Sequence, residues 1–202
     1  RLNSIISNFS YRVKKEECLD LPDKVYTKRV VELTPEQNSL YLQLKSSALA
    51  FIYNSENEGM ISTSTVLTQI LRLQQICSGF AKLDTGEEVK VPTNKLPELM
   101  SLLEETNGKV IIWANFTNDI ISIQKEIAKK YGNESVELFY GGTPAEERQS
   151  IVSSFQDPNN PLRFFVGQPK TGGYGLTLTE AKTVVYYSNC LLYTSDAADD
   201  VA

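Results

Sequence analysis

Arg163-Phe-Phe-Val-Gly-Gln-Pro-Lys-Thr-Gly-Gly-Tyr-Gly-Leu-Thr-Leu-Thr-Glu-Ala-Lys-Thr-Val-Val-Tyr-Tyr-Ser188 is the stretch that decides the fold. Its opening apolar run, 164–166, is too short for a helix and rich in aromatic and β-branched residues, which predicts a buried strand. Three glycines follow within four positions, Gly172, Gly173 and Gly175, and a second β-branched and aromatic run covers 183–187. Two buried strands joined by a glycine-rich loop imply a parallel sheet with the loop at a strand's carboxyl end, where ligands bind in open α/β sheets. Glycines let backbone N–H groups approach an anion closely and tolerate positive φ. Lys170 and the hydroxyls of Thr171 and Thr177 are candidate phosphate contacts beside them. A tight strand-to-helix turn that binds nothing explains the same glycines. The spacing from Gly167 to Gly172 copies a Walker A loop, but Gly173 stands where the lysine belongs and Tyr174 where the magnesium-binding hydroxyl belongs, so this is not a P-loop.

Outward from that stretch, strands and helices alternate. Lys109-Val-Ile-Ile-Trp-Ala114 is a nearly continuous apolar strand, as a sheet covered on both faces requires. Thr117 is placed to cap a helix with Ile120, Ile123, Ile127 and Tyr131 on one face, ended by Gly132. A strand over 136–140 leads to the turn Gly141-Gly142. Thr143-Pro-Ala-Glu146 reads as a capping box for a helix whose core face is Ile151, Val152 and Phe155, and the breakers at 157–161 end it. A helix over 94–105, carrying Leu96, Leu99, Leu102 and Leu103, precedes this α/β unit. Further upstream, 25–33 alternates enough for a strand. Thr34-Pro-Glu-Gln37 is a capping box with proline at the first helical position, ahead of Leu40, Tyr41, Leu44, Ala48 and Phe51 at helical spacing. A second helix over 65–77 puts Val66, Ile70, Leu73 and Cys77 on one stripe with Leu67 and Leu71 beside it, and 81–92 is a polar loop or weak hairpin turning at Asp84-Thr-Gly86.

The totals exclude several chemistries. Among 202 residues there is no histidine, which removes Ser-His-Asp and Cys-His catalysis and histidine metal sites. Cys18, Cys77 and Cys190 are odd in number and far apart, with no metal-type spacing, and are expected in a reducing interior. A net charge of −5 gives no global pull toward nucleic acid, so any such contact must be local. No apolar run approaches the roughly 20 residues of a membrane span. The expectation is a soluble, intracellular protein without a membrane partner.

Lys170-Thr-Gly-Gly-Tyr-Gly-Leu-Thr-Leu-Thr-Glu-Ala181, followed by the strand Val184-Val-Tyr-Tyr187, resembles motif V of the Swi/Snf-like helicase-related ATPases of superfamily two. Val110-Ile-Ile-Trp-Ala-Asn-Phe-Thr117 resembles motif IV. Leu138-Phe-Tyr-Gly-Gly142 with Glu147, Arg148 and Phe155 is similar to the block that follows it. Leu71-Arg-Leu-Gln-Gln-Ile-Cys77 resembles the family's L-R-x-L-Q-I-C helix, although Ser78-Gly-Phe80 replaces the usual N-H-P. Phe9-Ser-Tyr-Arg-Val-Lys-Lys-Glu-Glu17 and Leu19-Asp-Leu-Pro-Asp-Lys24 are similar to the segment that crosses between the family's two lobes, with a single arginine, Arg12, in place of a pair.

The resemblance implies an α/β, RecA-like parallel sheet flanked by helices and preceded by a helical inter-lobe segment. It divides the chain into an inter-lobe segment with two amphipathic helices over 1–92, a second RecA-like lobe over 93–189 and a tail over 190–202 that is unlike the family. It implies DNA-backbone contacts, blind to sequence, at Gly141, Gly142, Lys170, Thr171, Gly172 and Gly173. Coupling to the nucleotide cleft is implied at Gly175, Leu176 and Thr177. No catalytic or metal-binding residue is expected in the chain. ATP and magnesium belong, on this reading, to a parent enzyme whose first RecA-like lobe carries the Walker A lysine and the acidic motif. The arginine-finger motif, Q-x-x-x-R-x-x-R, has no counterpart in Cys190-Leu-Leu-Tyr-Thr-Ser-Asp-Ala-Ala-Asp-Asp-Val-Ala202, so the chain is expected to be a middle piece, inactive alone. The other reading is a non-catalytic α/β module that binds nucleic acid or nucleotide.

Overall fold

The computed structural model describes residues 9–10, 24–58, 63–82, 86–172 and 175–188. Spatial proximity divides the chain into two units, Arg1–Val30 and Val31–Ala202. In the first, Val25, Tyr26 and Val30 are exposed. The strand expected over 25–33 does not form. Alternation makes a strand only where a neighbour takes its hydrogen bonds, and no described strand pairs with this segment.

The second unit starts with two helices, α1 (Pro35–Glu58) and α2 (Thr63–Cys77). The expected capping box at the start of α1 is complete. Gln37 N–H donates to Thr34 Oγ1 at 3.2 Å, and Thr34 N–H donates back to Gln37 Oε1 at 3.1 Å. Gln37 is buried, and its Nε2 donates to Ile76 O at 2.8 Å, which fastens the start of α1 to the end of α2. The faces in contact differ from those expected. Ala48 and Ile76 are buried, whereas Leu40, Leu67, Ile70 and Leu71 are exposed. With leucine, isoleucine and valine around much of α2, several stripes fit the helical period, and tertiary contact selects the one through Ile76. The Phe51 side chain lies outside the described residues.

A small antiparallel hairpin, β1 (Phe80–Lys82) and β2 (Glu88–Lys90), follows where a weak hairpin was expected. Asp84 and Thr85 of its turn lie outside the described residues, and Gly86 has φ +89°. Phe80 is buried and meets the Phe116 ring edge-on at 5.2 Å, docking the hairpin on the α/β unit.

That unit runs α3 (Lys95–Glu105), β3 (Lys109–Trp113), α4 (Thr117–Tyr131), a 3-10 turn (Asn133–Ser135), β4 (Val136–Phe139), α5 (Ala145–Gln156), β5 (Phe164–Gly167), one helical turn α6 (Pro169–Gly172) and β6 (Ala181–Tyr186). The four long-range strands form one parallel sheet in the order β4-β5-β3-β6. Alternation along β3 divides the core. Val110 and Ile112 face Leu99 and Leu103 of α3 and Ile120, Ile123 and Ile127 of α4, while Ile111 and Trp113 face Ile151 and Phe155 of α5. Phe164 and Val166 join the first layer and Phe165 the second. β3 and β5 are covered on both faces, as their apolar runs predict, whereas β6, expected to be buried, is an edge strand that leaves Val184 and Tyr186 exposed.

Two expected caps are absent. Thr117 is the first residue of α4 rather than its cap, and extended Phe116 precedes it without a side-chain cap bond. Thr143 turns its hydroxyl back to the strand, donating to Leu138 O at 2.9 Å, so Pro144 precedes α5 and no side chain caps it. Two cations, buried Lys109 and half-buried Arg163, reinforce the opposite edge of the sheet. Lys109 Nζ donates to Asp157 O at 2.6 Å and Ser154 O at 3.3 Å, placing positive charge at the carboxyl end of α5. Arg163 donates to Leu103 O, Thr106 O and Gly108 O, closing the end of α3.

Candidate nucleic-acid interface at the carboxyl edge of the sheet

Because all four strands are parallel, the residues that follow them meet at one edge. Beyond β4, Tyr140-Gly-Gly-Thr143 makes a turn closed by Thr143 N–H to Tyr140 O at 3.0 Å and by Tyr140 N–H to Thr143 Oγ1 at 3.1 Å. Arg148 holds the turn from below, donating from Nε to Thr143 O at 3.2 Å and from Nη2 to Tyr140 O at 3.4 Å, with its guanidinium over the Phe139 ring. Sequence alone marked Arg148 only as part of a family-like block. The structure makes it a brace for the glycine turn. Gly141 and Gly142 are exposed. A Cβ on Gly141 would meet nothing within 4 Å, and its φ lies outside the left-handed region, so the fold does not itself require glycine there.

Beyond β5, Gln168 ties three strand ends together. Its N–H donates to Phe139 O at 2.9 Å and its Nε2 to Asn115 O at 2.8 Å, past the ends of β4 and β3. Its carbonyl accepts the N–H groups of Thr171 and Gly172 at 2.9 and 3.0 Å. The amides of Thr171 and Gly172 are therefore used inside the turn. Gly172 is buried, and a Cβ there would lie 3.1 Å from both Phe139 and Trp113 ring atoms, so a side chain would fit only if those rings gave way by a few tenths of an ångström. Trp113 is itself a core residue. Lys170 is exposed on the outer side of the same turn and Thr171 is half-buried. Gly173 and Tyr174 lie outside the described residues.

The chain then returns across the sheet face that carries α5. Gly175 adopts φ +74°, the left-handed conformation that its glycine suits. Leu176 and Leu178 pack on the layer of Phe155 and Phe165, while Thr177 is exposed. Gln156, at the end of α5, clamps the far end of this loop: its Nε2 donates to Thr179 Oγ1 at 3.0 Å and its Oε1 accepts Glu180 N–H at 3.0 Å. The two groups of candidate residues therefore separate. Gly141, Gly142, Lys170 and Thr171 share the carboxyl edge, and Gly175, Leu176 and Thr177 lie on the return path.

Behind the edge is a buried polar cluster that no sequence pattern signalled. Ser188, just past β6, accepts Asn115 N–H on its Oγ at 2.8 Å and donates its hydroxyl to Asp119 Oδ2 at 3.1 Å. Asp119, in the first turn of α4, is 3% exposed and also takes a hydrogen bond from Ser78. Burial pushes the Asp119 carboxyl up to about 6, against the opposing pull of the Lys95 ammonium and the two serine hydrogen bonds. Lys95 Nζ sits 4.5 Å from the centroid of the Tyr187 ring. Burial holds that ammonium below its usual range, partly offset by Asp119 and Cys77, and burial with the Asp119 charge raises the Tyr187 phenol. Cys77 behaves as the small core-side residue expected, its thiol raised by burial. Among the described residues no three histidine, cysteine or acidic side chains converge as a metal site would require. No described helix is long and apolar enough to cross a membrane.

A family model, the helicase conserved C-terminal domain, matches residues 93–199 and so reaches past Asn189. The chain is 31% identical, over 87% of its length and 19% of the relative's, to YwqA of Bacillus subtilis, designated an ATP-dependent helicase/translocase. It also superposes on the Sulfolobus solfataricus SWI2/SNF2 ATPase C-terminal domain with a TM-score of 0.65 at 30% identity, covering 82% of this chain and 72% of that one. The Sulfolobus ATPase core in complex with dsDNA gives 0.67 at 29% identity, over 98% of this chain and 42% of the other. Sheet order, flanking helices and strand-end turns together define a RecA-like lobe of the helicase type. The chain belongs to the Swi/Snf-like superfamily-two helicases, through their conserved C-terminal domain. It spans less than a fifth of the length of the curated relatives it matches.

Proposed function

We propose that this chain supplies the DNA-gripping second lobe of a Swi/Snf-like ATP-dependent helicase or translocase, with residues 1–92 joining it to a first lobe and 93–189 forming the lobe itself. The observation that carries the reading is the pairing of exposed Lys170 with the exposed Gly141-Gly142 turn on one sheet edge, each braced from behind. A glycine that the fold does not require leaves a flat surface that a bulky backbone can approach, and an ammonium beside it attracts phosphate. The relatives support the choice of ligand, since one is designated an ATP-dependent helicase/translocase and another was solved with dsDNA.

Lys170 contributes charge at the DNA backbone, and Gly141 and Gly142 contribute close approach. Thr171 adds its hydroxyl and Gly172 shapes the turn through packing, and Gly173, next in sequence, completes the candidate set. Such contacts carry no base information. Gly175, Leu176 and Thr177 couple the turn to a nucleotide cleft that the first lobe completes. ATP with magnesium supplies the driving hydrolysis in the parent enzyme. The described residues fit neither a magnesium site nor a phosphate nest, because no acidic cluster converges and the Thr171 and Gly172 amides are already bonded. No hydrolytic step is assigned to this chain, and it is inactive as an ATPase by itself. Where the protein acts in the cell follows that of its DNA substrate.

The test is duplex binding measured across a salt series. Lys170→Ala is expected to weaken binding equally for unrelated sequences and to make the slope of log K against log salt shallower by about one unit. An unchanged slope with an altered sequence preference would remove Lys170 from the backbone contact.

A further inference from the structure

We propose that Asp119 is a positioning residue for the DNA-facing turn, acting through a hydrogen-bonded strut that runs from Gln168 to the end of α2. The strut is continuous. The Gln168 carbonyl holds the Thr171 and Gly172 amides, and its side chain reaches Asn115 O. Asn115 N–H reaches Ser188 Oγ, and the Ser188 hydroxyl reaches Asp119. Asp119 takes the Ser78 hydrogen bond, and Ser78 N–H is itself bonded to Gln74 O and Gln75 O in the last turn of α2. Each link joins a different element, so the turn bearing Lys170 is tied through the half-buried Gln168, Asn115 and Ser188 and the buried Asp119 and Ser78 to the helical segment ahead of the lobe.

Ser188 is the junction. Its one hydroxyl hydrogen goes to Asp119, which leaves its lone pairs for Asn115 N–H. An ionised Asp119 accepts only and therefore fixes the direction of that hydroxyl, whereas a protonated carboxyl also donates and releases it. The titratable and charged groups facing Asp119 are Lys95 from α3 and Tyr187 after β6, and Lys95 in turn faces Cys77 at the end of α2. Lys95 favours the ionised form, and burial opposes it. The charge on Asp119 thus sets how firmly the strut holds the turn. This deepens the DNA-binding reading and rests on it for its purpose, while the strut itself is testable without DNA.

Amide hydrogen exchange, followed residue by residue in the full chain, reads the strut directly. Ser188→Ala is expected to speed exchange at Asn115, Thr171 and Gly172 by about fivefold to tenfold, the effect of one lost hydrogen bond, with Val110 and Ile112 unchanged. In the unmodified chain, protection at the same three amides, taken relative to intrinsic rates, is expected to fall as pH drops through about 6, where Asp119 gains its proton. Asp119→Asn is expected to abolish that pH response. Uniform loss of protection across the sheet in Ser188→Ala would make the network merely structural. A flat pH response at Asn115, Thr171 and Gly172 in the unmodified chain would overturn the proposal even if neither variant folds. Either failure leaves the salt-slope test of DNA binding standing.

Discussion

Unfolding free energy measured from pH 4 to pH 7 is expected to carry a downward contribution on the order of 3 kcal/mol from Asp119, missing in Asp119→Asn. The sign follows from proton counting. Burial raises the folded carboxyl to about 6, whereas in the unfolded chain it keeps the ordinary carboxylate value of 3.8. Between those values the folded state keeps a proton that the unfolded chain has released, so stability declines as pH rises through the window. Below the unfolded value both states are protonated and the penalty is absent. Above the folded value both are ionised and the penalty is complete. Burial is the main cause, since the carboxylate leaves water for a site where Lys95, Ser188 and Ser78 replace only part of its solvation. Other carboxylates titrate in the same range, so the quantity to measure is the difference between the two proteins' stability curves. A difference that stays constant from pH 4 to 7 would show that Asp119 is not held in the environment described.

Gly167→Ala is expected to destabilise the chain by about 1–3 kcal/mol and lower the melting temperature by roughly 2–12 °C. Gly167 closes β5, and an added Cβ would sit 2.6 Å from Trp113 Cζ3 and 3.1 Å from Phe165 Cε1. Neither ring has room to retreat. Trp113 is also in contact with Gly172, and Phe165 is fully buried against Phe139, Phe155 and Trp113. Gly141→Ala is the control. Its Cβ would enter open space at ordinary φ, so its melting temperature should match that of the unmodified chain. Equal stability of Gly167→Ala and the unmodified chain would contradict the packing described for Trp113.

β3 and β5 were legible because each is a short apolar run with β-branched or aromatic residues, and both form where those runs predict. The capping box at Thr34 was legible because both of its bonds are local. Thr117 and Thr143 carried the same local signal and do not cap. The Thr143 hydroxyl finds a strand carbonyl instead, a competitor that sequence spacing does not reveal. Amphipathic period placed α2 but not its buried stripe, since its apolar residues outnumber the positions that α1 covers. At the candidate site, the glycines and Lys170 stood out as a pattern. Gln168 and Asp119 did not, because the role of each is defined by partners 53 and 69 positions away in the chain rather than by its neighbours. Arg148 was visible as a motif residue, yet its role as a brace needed the turn geometry.

The most direct test of the DNA-edge reading is to map backbone amide shifts in the chain while a short DNA duplex is added at low salt. Perturbed amides are expected to cluster at residues 140–143 and 168–172, on the turns that share the carboxyl edge of the sheet. Perturbations centred instead on Gly108, Lys130 and Arg163, where basic side chains line the opposite edge, would place the DNA on the wrong side of the lobe and contradict the assignment.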